Sequence, residues 1–356
     1  MTVTVTQPSI NVREKLAELD KPTGIAGEAM LRAETPQEQQ ALIGVGRRNL
    51  IINGAFQVSQ RGDYSSATAT QNNVYTLDRF KLALALVSAT VQHNEVVLPN
   101  GVKTMAMKVA ATSTSSTGYA GVRQVIEDFR VLSEQIVTVS MWIRTTLQGM
   151  TFRHDSTTNF GGTIVPDGQW HYHTATYQMP TITAAGGNAN ETTLAIINYS
   201  DALGSGAGVT SGEYFEITQV QLELGKVATP FEHRSYGEEL NLAQRYFQAH
   251  ISGNLYTGFG FAHGSSTTDV EIFGYRYLVP MRSAPTLSAS AAGDFSIRTS
   301  SNNIAATPDA IVINRPGTQM CNLSFQYSGG GLTTGNSYHI VANNNSAATL
   351  TFDAEL

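Results

Sequence analysis

Hydrophobic and polar residues alternate along most of the chain after residue 48, with the period of a β-strand that buries one face. In the stretch IVTVSMWIR the apolar phase is Val137, Val139, Met141 and Ile143, and in TMAMKV it is Met105, Met107 and Val109. Long polar stretches rich in Ser, Thr, Asn and Gly separate these strands and suit exposed loops. The pattern predicts a mainly β chain with a β-sandwich over residues 49–234.

The alternation slips once, in EYFEITQVQLELG. Phe215 and Ile217 hold one phase, whereas Val220 and Leu222 hold the next. An extra residue near Thr218 would keep both halves facing the core. The sequence therefore predicts a β-bulge at Thr218-Gln219.

Helix signals concentrate in the first 48 residues. Thr35, Pro36 and Glu38 form an N-terminal capping signature, with Thr as the cap and Glu three residues later. Two short helices bury too little surface to fold alone, so residues 1–48 are predicted to be an arm that docks on a partner. The apolar residues expected to make the attachment contacts are Val12, Leu16, Leu19, Leu31 and Leu42.

A second capping box, Ser235 to Glu238, precedes an apolar spacing that continues through Phe247 to Gln248. It predicts a helical linker over residues 235–248. Short alternating strands bounded by Pro, Gly and Asn follow it. Residues 249–356 are therefore expected to form a small C-terminal β-sandwich.

Composition narrows the function classes. Of 356 residues, 14% are charged and the net charge is -6, which excludes a basic nucleic-acid binder and a charged disordered chain. Cys321 is the single cysteine, so no internal disulfide and no cysteine-based zinc or redox site exists. We expect a soluble chain without membrane insertion, because the sequence shows neither a signal peptide nor an apolar run of roughly 18 residues.

No residue pattern in the sequence gives strong evidence of a catalytic or metal-binding site. His171 and His173 share a strand face and could ligate a metal, but no third ligand accompanies them. Trp170 and Tyr172 lie on the alternate face, where core packing competes with stacking on a sugar ring. We expect no catalytic residue, no metal and no cofactor.

Three further motifs have plain interpretations. Gly329-Gly330-Gly331 lacks the Lys-Ser/Thr of a phosphate loop and is predicted to be a turn. The adjacent acids Glu127 and Asp128 are expected to be solvated rather than a hydrolytic pair. A structural calcium ion at Asp201 has no further support in the sequence.

Three segments resemble parts of bacteriophage fibre proteins. The first is IAGEAMLRAETPQEQQALIGVGRRNLIINGAFQVSQRG, which is similar to the entry into a fibre jelly roll. The second combines Leu77-Asp78-Arg79-Phe80 with EYFEITQVQLELGKVATPFEHRSYGEELNLAQRYFQ, and the third combines LVPMRSAPTLS with TFDAEL. Phe80 and Ala243 depart from the family pattern, in which Trp and Cys are commoner.

The resemblance implies a carbohydrate-binding-module-like jelly roll in a homotrimeric tail fibre. It further implies that the arm attaches to a phage tail or capsid protein, that the protein lies on the exterior of the virion, and that host-surface polysaccharide is the ligand. Aromatic residues in or near polar loops are the binding candidates: Tyr64, Tyr119, Trp170 and Tyr172. A head fibre, decoration or connector protein with a purely structural role is the alternative, and a polysaccharide depolymerase is a third hypothesis.

Overall fold

The computed structural model of the chain describes residues 47–127, 132–154, 158–162, 164–181, 191–200 and 205–355. In this part of the chain the secondary structure is mainly β, with one short α-helix. The predicted arm falls almost wholly outside it, as do Val12, Leu16, Leu19, Leu31, Leu42, Asp128 and Asp201.

Two antiparallel sheets form the first domain. The first sheet contains, in spatial order, β1 (Thr68–Thr70), β3 (Ala89–Val97), β4 (Lys103–Ala111), β12 (Tyr214–Leu224), β6 (Ile136–Thr145) and β9 (His171–Gln178). The second contains β2 (Lys81–Ala85), β5 (Tyr119–Glu127), β10 (Glu191–Ser200), β7 (Met150–His154) and β8 (Thr158–Phe160), with β11 (Ser205–Gly206) paired to β10. The predicted jelly-roll sandwich is confirmed as the fold class.

The core of this domain lies between the two sheets. The alternate residues of β6 predicted to face inward, Val137 to Ile143, are at most 1% exposed. The register of β12 against β6 shifts between Thr218 and Gln221, and Gln219 has a φ of 52°. The predicted bulge is confirmed, and it allows both Ile217 and Val220 to reach the same core.

One helix, α1 (Tyr236–Gln244), leads out of the sandwich. The Ser235 hydroxyl accepts a hydrogen bond from the Glu238 backbone N–H at 3.3 Å, so the predicted N-cap is confirmed. The helix ends before the predicted Gln248, because the chain from Phe247 pairs with a strand of the next domain and its backbone groups are satisfied there.

The second domain is also built from two sheets. The smaller contains β13 (Phe247–Ile251), β22 (Thr349–Asp353) and β16 (Thr286–Ala289), and a 3₁₀ turn at Ala292–Asp294 follows β16. The larger contains, in spatial order, β18 (Ile304–Ala306), β17 (Phe295–Thr299), β21 (Ser337–Ala342), β14 (Gly258–Gly264), β15 (Asp269–Arg276), β20 (Met320–Gln326) and β19 (Ala310–Asn314). Gly330 and Gly331, with φ of 69° and 90°, form the predicted turn.

A buried ion pair joins the two domains. The guanidinium of Arg79, 1% exposed, contacts the carboxylate of Glu355, 4% exposed. Arg79 also donates to the Val125 carbonyl at 2.6 Å, and its guanidinium carbon lies 3.5 Å from the centroid of the Tyr246 ring. Arg61 adds a second ion pair to Glu355 at 3.0 Å. The two domains are thus held by charges that water hardly reaches.

The motifs that resemble phage fibre proteins converge around this joint. The Gln60 backbone N–H and side-chain amide donate to the two carboxylate oxygens of Asp78 at 2.5 and 2.8 Å. The Asn53 N–H donates to Glu239 at 2.8 Å, and Arg234 pairs with the same carboxylate at 3.1 Å. These residues hold the segment that enters the sandwich, the segment that leads into β2 and the helix α1 together.

Glu355→Gln should lower the free energy of unfolding by about 3 kcal/mol near neutral pH, because it leaves the buried Arg79 guanidinium without an anion and removes one of the two carboxylates that pair with Arg61. Denaturant unfolding followed by circular dichroism measures the effect. Glu95→Gln is the control, since its pair with Lys103 is solvent-exposed at 64% and 70% and should contribute less than about 1 kcal/mol. Equal losses in the two variants would contradict a structural role for the joint.

His250 predicts a pH dependence of stability. Burial lowers its pKa from 6.5 to about 4, so the unfolded chain binds a proton in a range where the folded chain does not. The stabilisation is complete above about pH 6.5 and is lost as the pH falls through about 4, to the extent of about 3 kcal/mol. Unfolding measured across this range should show the loss in the wild type and a flatter profile in His250→Gln. His263→Gln, which changes an exposed histidine, should keep the wild-type profile, and a profile unchanged in His250→Gln would refute the assignment.

Candidate functional site

The outward face of the second sandwich sheet has a flat floor of small side chains. Ala83 pairs with Gly121 across β2 and β5, and Gly121 pairs with Ile197 on β10. A Cβ atom at Gly121 would lie 2.7 Å from the Ile197 side chain and 2.5 Å from a backbone oxygen. Glycine is therefore required here, and it lets Ile197 lie flat across the neighbouring strand.

Two tyrosines border this floor on one side. The rings of Tyr119 and Tyr199 lie 5.8 Å apart, edge to face, and both side chains are half-buried. The guanidinium carbon of Arg153 lies 4.0 Å from the centroid of the Tyr199 ring. Arg153 donates to the Asn159 side-chain oxygen at 3.0 Å, and the Asn159 amide donates to the Tyr199 carbonyl at 3.0 Å.

A row of polar residues, which are cross-strand partners of one another, borders the floor on the other side. Its polar members are Lys81, Arg123, Arg153 and Asn159, and the floor residue Ala195 occupies the same row on β10. Burial and the neighbouring Arg123 charge lower the pKa of Lys81. Arg123 itself donates to the side-chain oxygen of Asn73. This side of the floor therefore presents cationic hydrogen-bond donors.

We call this surface the tyrosine trough, defined by Tyr119, Tyr199, Arg153, Arg123 and Asn159 around the floor residues Ala83, Gly121, Ala195 and Ile197. It combines ring faces, which attract C–H groups and cations, with guanidinium and amide groups that donate hydrogen bonds. Such a surface can hold a flat ligand that carries many hydroxyl groups.

The outward face of the first sheet carries a second group of rings. The Trp142 and Tyr172 rings lie 5.4 Å apart, and Tyr172 is 46% exposed. Trp142 and Trp170 pack against a small apolar cluster on their own sheet that includes Val96 and Ala106. We call Trp142, Trp170 and Tyr172 the aromatic platform.

An ion pair lies beside the platform. Arg144 contacts Glu216 at 2.5 Å, and the Glu216 side chain is fully buried although it lies on the outward face. Asn94 donates to the same carboxylate at 3.2 Å, while the Arg144 guanidinium lies 5.0 Å from the centre of the Trp170 ring. These contacts fix Trp170 against the sheet, so the platform is partly explained by packing.

The four aromatic residues expected from the sequence are therefore not brought together. Tyr119 lies in the trough, Trp170 and Tyr172 lie on the platform, and Tyr64 packs against the core between the sheets. Burial raises the pKa of Tyr64, and it contacts neither of the two outward surfaces.

Sequence reasoning missed Tyr199, Arg153 and Trp142. The alternation in ETTLAIINYS places Tyr199 on the same face as Ala195, and in IVTVSMWIR it places Trp142 opposite the core phase. The sequence alone can therefore identify an aromatic residue on the outward face of a strand. It cannot identify the residue beside it on the next strand, because that depends on the register between strands, which alternation does not give.

The other candidates have structural roles. His171 contacts the Asp167 carboxylate at 3.0 Å, and His173 packs 5.4 Å from the Phe152 ring centre. Glu127 accepts from Arg245 at 3.0 Å and from the Tyr246 hydroxyl at 2.8 Å. In the described ranges no three His, Cys, Asp or Glu side chains are grouped so as to hold a metal ion, and no helix there is long and apolar enough to cross a bilayer.

Among known proteins, the chain is similar only to solved structures. No family model matches the chain, and no curated protein matches it.

Half of the chain aligns with β-sandwich modules. A family 11 carbohydrate-binding module of a cellulosomal cellulase from Clostridium thermocellum is 14% identical, over 47% of this chain and 100% of that one, with a TM-score of 0.27. A xylan-binding domain from Paenibacillus barcinonensis is 10% identical, over 51% and 100%, with a TM-score of 0.28. The enzymatically active domain of tailspike protein 4 from bacteriophage CBA120 is 12% identical, over 50% of this chain and 21% of that one, with a TM-score of 0.31.

Proposed function

We propose that the protein is a non-enzymatic virion fibre that binds host-surface glycans through the tyrosine trough. Residues 1–48 attach it to a tail or capsid protein, and three copies assemble into a fibre on the exterior of the particle. The resemblance to phage fibre proteins supports the virion role, and the trough supports the ligand class.

The observation that carries the proposal is the contact of Arg153 with Tyr199 beside a floor of small residues. Sugar rings present C–H groups on one face and hydroxyl groups at their edges. A tyrosine ring face suits the C–H groups, and the partly exposed Arg123 and Asn159 side chains suit the hydroxyl groups. Ala83, Ala195 and Ile197 are 5 to 7% exposed, with the two tyrosines packed against them, so a glycan would contact the rings and the polar groups beside them rather than the floor itself.

The aromatic platform is the second candidate surface for the same function. Its two tryptophan rings are fixed by contacts with Val96, Ala106 and Arg144, whereas Tyr172 is 46% exposed and contacts the Trp142 ring. The trough residues Tyr119 and Tyr199 pack on the smaller side chains of Ala83, Ala195 and Ile197. We favour the trough because Arg123 and Asn159 beside its rings are partly exposed.

The two alternative functions predict different results. A depolymerase would need a pair of carboxyl groups roughly 5 to 9.5 Å apart flanking the sugar, and would release reducing ends from host polysaccharide. A head fibre or connector with a purely structural role would bind no glycan. Reducing-end and cell-binding assays with the full chain separate these from the proposal.

Replacing Tyr199 by Ala should weaken binding to host cells and to their extracted polysaccharide about tenfold, which corresponds to about 1.4 kcal/mol. It removes a ring face and the support of Arg153. Tyr236→Ala is the matched control, because Tyr236 is 57% exposed on α1 and lies outside the trough. Biolayer interferometry with immobilised polysaccharide gives the affinities.

Unchanged affinity in Tyr199→Ala would exclude the trough as the site. Tyr172→Ala, tested in parallel, should bind as the wild type does. A loss confined to Tyr172→Ala would assign the ligand to the aromatic platform instead.

Deletion of residues 1–48 should leave a folded protein that binds glycan but does not join the particle. In the part of the chain that the structure describes, the sandwich core is built from residues after 48, so we expect the truncated protein to fold. Phage assembled with the truncated protein and then purified should lack it when probed by immunoblot. Wild-type amounts on the virions would show that attachment lies elsewhere.

A further inference from the structure

The polar row beside the tyrosine trough contains two adjacent positive charges. Lys81 and Arg123 are cross-strand partners on β2 and β5. Their neighbours Leu82 and Val122 point into the core, so the two cations lie on the outward face, where both are partly exposed. Directly paired residues on one face have Cβ atoms about 5 Å apart, and like charges at this spacing repel each other.

The contacts of these two side chains are with neutral groups. Arg123 donates to the side-chain oxygen of Asn73, and the Lys81 ammonium lies 5.1 Å from the centroid of the Tyr75 ring. Within the ranges that the structure describes, neither cation forms an ion pair. One amide oxygen and one ring face satisfy only part of the donor capacity of a guanidinium and an ammonium group.

The acidic residues that act on Lys81 are already paired with another cation. Asp353 and Glu355 both favour the charged form of Lys81, but each lies 3.0 Å from a nitrogen of the Arg61 guanidinium. Burial and the charge of Arg123 outweigh the two carboxylates and lower the pKa of Lys81. The carboxylates therefore do not neutralise the row.

The other acidic positions on this face lie at the far end of the strands. Glu127 is four residues from Arg123 on β5, about 13 Å along the strand. It pairs across strands with Glu191, and its carboxylate accepts from Arg245 at 3.0 Å. Within the row itself Arg153 adds a further guanidinium, although it is only 8% exposed. The row is therefore a positively charged border of the trough.

The trough thus has rings along one border and cations along the other. Tyr119 and Arg123 lie on the same face of β5, four residues and about 13 Å apart. A ligand that contacts both is a chain of several sugars, because one sugar ring is far shorter than this distance. A carboxylate or phosphate group accepts two parallel hydrogen bonds from a guanidinium and is a stronger partner for it than a hydroxyl group is.

We propose that the glycan bound in the tyrosine trough is acidic, with its carboxylate or phosphate groups at Arg123 and Lys81. This inference rests on the proposed function and adds the chemical class of the ligand. A neutral polysaccharide of the same shape would offer the two cations only hydroxyl groups, and it would bind more weakly.

The test compares host polysaccharide with two derivatives of it, using the full chain and biolayer interferometry. Carbodiimide activation followed by borohydride reduction converts carboxylates into alcohols, and aqueous hydrofluoric acid removes phosphate substituents. One of the two treatments should weaken binding about tenfold, and the treatment that does so identifies the anionic group.

Salt gives an independent measurement on the same samples. Raising the ionic strength from about 0.1 M to 1 M shortens the Debye length from about 10 Å to about 3 Å. Binding of the untreated polysaccharide should weaken over this range, and binding of the neutral derivative should not. Equal salt dependence of the two would contradict an ionic contact.

Arg123→Gln should weaken binding of the untreated polysaccharide about fivefold and binding of the neutral derivative less than about twofold, because it removes the charge and keeps an amide donor. Arg123→Lys keeps the charge and should recover part of the affinity. Lys103→Gln is the matched control, since it removes the same charge from β4 of the other sheet, where Lys103 is 70% exposed. It should bind as the wild type does.

Equal affinities for the untreated polysaccharide and both derivatives would overturn the acidic ligand and leave glycan binding in place. Absence of binding to every form would refute the proposed function, and this inference with it. Wild-type affinity of Arg123→Gln for the untreated polysaccharide would also overturn the assignment. Circular dichroism verifies that each variant is folded, and Lys81→Gln tests the same row if Arg123→Gln does not fold.

Discussion

The ion pair of Arg79 with Glu355 is the constraint on which the arrangement of the two domains depends. A guanidinium that is 1% exposed must be paired to be tolerated. Its partners are the Val125 carbonyl on β5, the Tyr246 ring after α1, and Glu355, two residues after β22. Moving either domain would leave this charge without an anion. The pair therefore fixes the position of the trough relative to the second domain.

The motifs through which the chain resembles phage fibre proteins are mostly residues of this joint. Asn53, Asp78 and Arg234 hold chain segments together through buried hydrogen bonds, whereas Tyr119 and Tyr199 lie outside the motifs. These motifs thus describe how the sandwich is connected to the chain on either side of it, and the tyrosines of the trough are not part of them.

Much of the fold is readable from the sequence. The alternation of apolar and polar residues identifies the strands, and its interruption at Thr218 identifies the bulge. This works because burial of one sheet face requires an apolar residue at every second position. Ser235 identifies the start of the helix, because its hydroxyl caps a backbone N–H only three residues further on. The candidate site is not local: Tyr119 and Tyr199 meet through the pairing of β5 with β10, and Tyr64 is drawn into the core. The helix end was also misjudged, since Phe247 pairs with β22, a strand about a hundred residues further on.

The joint also bears on the order of folding during synthesis. Arg79 and Glu355 are 276 residues apart, and at translation rates of about 5 to 20 residues per second the first domain can fold well before Glu355 leaves the ribosome. Throughout that interval Arg79 has its carbonyl partner but no carboxylate. The pairing of Arg79 and Arg61 with Glu355 is therefore a late step, which follows the synthesis of the whole second domain.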